Sequence, residues 1–65
     1  MDRVAQLAAE AETCLRFERE WIEAGRGRAE AARQITRECL EEVAREFGFD
    51  PLEISAAIDT ALQGR

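Results

Sequence analysis

A chain of 65 residues, 46% apolar and 35% charged, has room for a single small domain and is too apolar to stay disordered. Its net charge of −5 argues against nucleic acid as a partner for the whole surface. Histidine and tyrosine are both absent, which removes the commonest metal ligand and the usual acid–base group at neutral pH, so neither a metal nor a cofactor is expected.

Ala, Glu, Leu, Arg and Gln predominate, all good helix formers, and β-branched residues are few, so the expected fold class is all-α. The opening "MDRVAQLAAEAE" carries acids where a secretory signal needs an apolar run. No apolar run approaches the roughly 20 residues that span a bilayer. A cytoplasmic protein without a membrane partner is therefore expected.

The first helix is predicted over residues 2–24, with Val4, Leu7, Ala8, Ala11, Leu15 and Ile22 recurring at helical spacing. "GRG" at 25–27 breaks it, because glycine accepts the left-handed cap conformation. The second helix is predicted over 28–47, with a stripe of Ala32, Ile35, Cys39, Leu40, Val43 and Phe47, and Gly48 is its natural stop. The third start is strongly marked. Asp50 suits the N-cap, Pro51 the first helical position and Glu53 a capping box, while Phe49 and Ile54 suit a hydrophobic staple. That helix is predicted over 51–62, burying Ile54, Ala57, Ile58, Ala61 and Leu62.

Two helices of about 20 residues, each roughly 30 Å long, joined by a tight loop should form an antiparallel hairpin. The third is about half as long and can cover only part of the hairpin's apolar face. The expected architecture is a single helical domain over 1–65, a two-helix hairpin plus a short third helix, assembled as a dimeric bundle.

Residues 43–58, "VAREFGFDPLEISAAI", resemble the helix-turn-helix segment of bacterial repressors. Ala44 is the small residue where two helices touch, Gly48 sits in the turn before apolar Phe49, and Ile54 falls at the buried position of the second helix. The resemblance implies a transcriptional regulator in which residues 44–62 present a reading helix to the major groove. The charges oppose that reading. Between Gly48 and Gly64 stand Asp50, Glu53 and Asp59 and no base, whereas base reading relies on Arg, Lys, Asn or Gln with basic neighbours on phosphates.

Arg26, Arg28, Arg33 and Arg37 cluster around the expected hairpin tip with Trp21 nearby, a composition suited to an anion contact. Glu18, Glu20, Glu23 and Glu30 fall in the same segment, and ion pairing with them is the simpler expectation. Glu41, Glu42 and Glu46 end the second helix against its macrodipole, so local stability did not select them and a partner-facing role is expected. With Asp50, Glu53 and Asp59 they make up the acidic candidates for an interface.

Cys14 and Cys39 lie 12 and 13 residues from Arg26, which in a hairpin sets them across from each other. They read as a disulfide or as two small core residues, and a reducing cytoplasm favours the second. Phe17 and Trp21 widen the apolar arc of the first helix beyond what a hairpin needs, and are the expected anchors of a dimer or partner interface. Catalysis is not expected, since no nucleophile–base set or phosphate loop is present. The functional expectation is a small acidic module that binds another protein, with an analogy of size and charge to phage or mobile-element inhibitors such as anti-CRISPR proteins, which present an acidic face to a nucleic-acid-binding groove.

Overall fold

The computed structural model describes residues 2–63, which form three helices and, among the described residues, no strand: α1 (Arg3–Glu23), α2 (Ala29–Glu46) and α3 (Ile54–Gln63). The Asp2 carboxylate starts α1 by accepting the Val4 N–H at 3.0 Å, which satisfies one of the helix's orphan donors.

The first two helices stop by the same device. After Ala24, Gly25 adopts φ 69°, its N–H donates to the Ile22 carbonyl and the Arg26 N–H donates to the Trp21 carbonyl. After Phe47, Gly48 adopts φ 86°, its N–H donates to Arg45 and the Phe49 N–H donates to Ala44. This pairing of a 6→1 with a 5→2 bond around a left-handed glycine is the Schellman motif.

The third helix corrects the sequence expectation. Asp50 caps a tight turn over residues 51–53 and not the helix itself: its carboxylate accepts the Leu52 N–H at 3.0 Å, and its carbonyl accepts the Glu53 N–H at 2.7 Å. That i→i+3 closure is one residue shorter than the α ladder, and Pro51 favours it by fixing φ at the second turn position. The α ladder begins where the Glu53 carbonyl accepts the Ala57 N–H, so α3 starts at Ile54 and Glu53 serves it through its backbone. Phe49 and Ile54, on either side of the turn, both enter the core.

The core gathers Leu7 and Ala11 from α1, Leu40 and Ala44 from α2, Phe49, and Ile54, Ile58 and Ala61 from α3, with Cys14, Val43, Phe47, Ala57 and Leu62 packed against it. Leu7, Leu40 and Ile58 are fully buried, each contributing about 1.5–3 kcal/mol over the exposed state. Three expected stripe positions are corrected: Val4, Ile35 and Cys39 remain exposed. The inward row of α2 is instead Ala32, Thr36, Leu40 and Ala44, spaced four apart. Thr36 is tolerated there because its hydroxyl donates to the Ala32 carbonyl at 3.1 Å.

Two arginines tie the elements together. Arg37 of α2 donates to Asp59 and to Ser55 of α3, both at 3.0 Å. Arg3 of α1 donates to the Gly48 carbonyl at 2.8 Å, with its guanidinium 5.0 Å from the Phe49 ring centroid. The core cluster reaches no further than Cys14 along α1 and begins at Leu40 along α2. Toward the turn that joins α1 and α2, the apolar core no longer includes α3, whose link to that part of α2 is through Arg37.

Candidate functional site

An open apolar groove of about 280 Å³ lies between α1 and α2 where the core cluster has ended. Cys14, Phe17, Glu18 and Trp21 line it from α1; Ala32, Ile35, Thr36 and Cys39 line it from α2. The helical register explains the lining. Positions 14, 17, 18 and 21 repeat at three and four residues and form one stripe, as do 32, 35, 36 and 39. Each stripe is wider than one contact between two helices can bury. Phe17 is 65% exposed, Ile35 56% and Trp21 45%, so three large apolar side chains stand on the rim.

Trp21 is held from the turn. The Arg26 guanidinium lies 5.9 Å from its ring centroid, a cation–π arrangement. Gly27 lies beneath the indole: a Cβ at that position would stand 2.8 Å from Trp21 Nε1. Both interactions come from the "GRG" segment, which the sequence marks only as a helix stop.

Both cysteines lie in this groove and both are free thiols. Burial raises the pKa of Cys14, and the charges of Cys39 and Glu10 add to the effect. A thiol held in its protonated form is a poor nucleophile and a poor ligand. Thr36 spends its hydroxyl on its own helix. The surface of the groove is almost wholly apolar, which suits it to apolar contact.

The remaining sequence candidates fall into separate places. Glu41 and Glu42 surround a shallow depression with Ile35, Glu38, Cys39 and Arg45, and so adjoin the groove through Ile35 and Cys39. Glu46 is exposed at the end of α2, and Asp50 and Glu53 at the following turn. Asp59 is on α3, paired with Arg37. The four arginines do not form one patch. Arg26 stacks on Trp21, Arg28 holds the N-cap position of α2 without a side-chain cap bond, Arg33 is exposed, and Arg37 is committed to α3. Among the described residues, the only ion pair within 4.0 Å is Arg37–Asp59, so the expected pairing of the tip arginines with Glu18, Glu20, Glu23 and Glu30 does not form. Exposed pairs of that kind return well under about 1 kcal/mol, too little to fix long side chains.

Sequence reasoning missed Ile35 as a rim residue, Thr36 as a buried one and Gly27 as the seat of Trp21. The row Ala32–Thr36–Leu40–Ala44 is visible in the sequence, but Ile35, Cys39, Val43 and Phe47 are also spaced four apart, so spacing alone does not choose the inward face. No helix of the described residues is long and apolar enough to cross a membrane. No protein-family model matches the chain, and no curated protein or solved structure matches it either.

Proposed function

We propose that the chain is a small acidic protein-binding module. In this reading α1 and α2 form an antiparallel hairpin braced at one end by α3, and the groove at the other end docks a protein surface, as the interface of a dimeric bundle or the seat of another chain. The observation that carries it is the exposure of Phe17, Trp21 and Ile35 around one apolar groove. Large aromatics on a desolvating surface dominate interface energetics, and clustered exposure of this kind is uncommon on a surface without a partner. The ten carboxylates and three arginines of residues 2–12 and 36–63 favour a basic surface opposite them, which keeps an inhibitor of a nucleic-acid-binding protein, the anti-CRISPR-like role, within the proposal. An intracellular setting suits two unpaired thiols.

A second reading, a transcriptional regulator using residues 44–62, draws on the α2–α3 corner. Ala44 and Ile54 are buried and Gly48 adopts the left-handed conformation, as a helix-turn-helix requires. The exposed face of α3 offers Ser55, Asp59, Thr60 and Gln63, and Arg37 occupies two of them. That leaves little to read bases or hold phosphates.

The test is capture of proteins from the native cell by the wild-type chain and by a Trp21→Arg variant, with a labelled random duplex at low salt in a parallel binding assay. The module predicts capture that depends on Trp21 and no duplex retention. Equal capture by both chains, or salt-sensitive retention of duplex, would refute it.

A further inference from the structure

We propose that the occupant of the groove is a second copy of this chain, docked antiparallel, so that the turn end of each copy meets the acidic end of the other. The inference rests on the reading of the groove as a protein-docking surface and names its partner.

Area is the first argument. The molecule measures 35 × 19 × 18 Å, so one long face presents about 650 Å² in projection. A stable interface takes roughly 600–1,000 Å² from each partner. A partner that covered only the groove would fall short. It has to run along the long face, past both ends of the groove, and the charges at those ends then decide its direction.

Those charges are strongly divided. Residues 13–35, which hold the turn, carry five arginines and four glutamates. Residues 2–12 and 36–63 carry three arginines and ten carboxylates. Parallel docking would lay the two acidic ends side by side, whereas antiparallel docking lays each against the nearly balanced, arginine-bearing end. The same division runs along the α2 edge of the groove. From 25 to 34 there are three arginines and one glutamate; from 35 to 46 there are two arginines and four glutamates, with Arg37 already engaged by Asp59.

The register is readable as well. Ile35 and Glu42 are spaced seven apart on α2, two helical turns or about 10.5 Å, and Arg28 stands seven residues before Ile35 at the N-cap of the same helix. All three are exposed. Ile35 is on the groove's rim, and Glu42 is beside it in the adjoining depression. A two-fold axis passing beside Ile35 brings the two isoleucines together, and sets Arg28 of each copy against the partner's Glu42. Because the interface is isologous, that pair occurs twice. Phe17 and Trp21 then close over the partner's groove and leave water.

Sedimentation equilibrium on the full chain, from micromolar to near-millimolar concentration at low salt, tests this directly. The wild type is expected to dimerise. Arg28→Glu and Glu42→Arg should each weaken the dimer by about tenfold or more, and the double variant, which restores both pairs with the charges exchanged, should recover it to within a few-fold. Both positions are exposed, and circular dichroism checks that each variant keeps its helices. A monomeric wild type throughout the range, or a dimer indifferent to the single changes or not rescued by the double, would overturn the proposal. If the wild type is monomeric while Trp21-dependent capture of another protein persists, only the self-docking fails. If Trp21→Arg dimerises like the wild type, the groove is not the dimer interface and the self-docking fails, while the docking reading is decided by whether capture depends on Trp21.

Discussion

Gly27 is the residue with the widest gap between its modest appearance in sequence and its consequence in structure. It has no side chain, yet it sets where Trp21 stands, because a Cβ there would meet the indole nitrogen at 2.8 Å. The neighbour that must give way is the far end of a side chain, so the indole can swing aside at small cost to folding. Gly27→Ala is therefore expected to leave the melting temperature nearly unchanged and to shift Trp21 fluorescence, weakening whatever the groove binds. A large loss of stability with unaltered fluorescence would show that Gly27 serves the backbone and not Trp21. Thr36 makes the complementary point: a polar residue can hold a buried position in the inward row because the helix itself supplies its hydrogen-bond partner.

At the scale of elements, α1 and α2 end in the same motif for the same reason. A left-handed residue after the cap lets two N–H groups reach back to otherwise unpaired carbonyls, and glycine adopts that conformation without steric cost. Gly48 at φ 86° also turns the chain so that Phe49 enters the core and α3 can follow. Gly48→Ala should cost on the order of 1 kcal/mol, read as a lower urea midpoint with an unchanged slope. A neutral result would mean that the chain finds another route around the corner. The start of α3 illustrates a limit of local signals. Asp50, Pro51 and Glu53 all point to a helix start, and they do order the chain there, but as a short turn that precedes the helix by three residues. The same side chains satisfy either geometry.

At the scale of the molecule, one core is shared by three helices, and none can bury its apolar face without the others. Ile58 is fully buried among residues from all three helices, and it has few replacements in so small a core. Ile58→Ala should cost about 2–5 kcal/mol, enough to unfold much of the population of a small domain. A variant that stayed cooperatively folded with a slight loss of stability would show that the core collapses around the cavity. The ends of the molecule differ in kind. One is closed by α3 and pinned by Arg3 and Arg37; the other exposes Phe17, Trp21 and Ile35 beside a short turn.

The sequence by itself determined that this chain is helical, where glycine ends the first two helices, which face of α3 is buried, and that Phe17 and Trp21 exceed what the core needs. These follow from backbone sterics and from periodicity, and both act over a few residues. It did not decide the inward row of α2, because Ile35 and Cys39 fit a helical stripe as well as Thr36 does. Only packing against α1 and α3 chose the row with small residues at Ala32 and Ala44, which let the helices approach closely. Tertiary structure alone also brought Cys14, Phe17 and Trp21 to Ile35 and Cys39 as one groove, and divided the arginines between Trp21 and α3. Those placements depend on which surfaces α3 is long enough to cover, a property of three elements together that no local stretch of sequence contains.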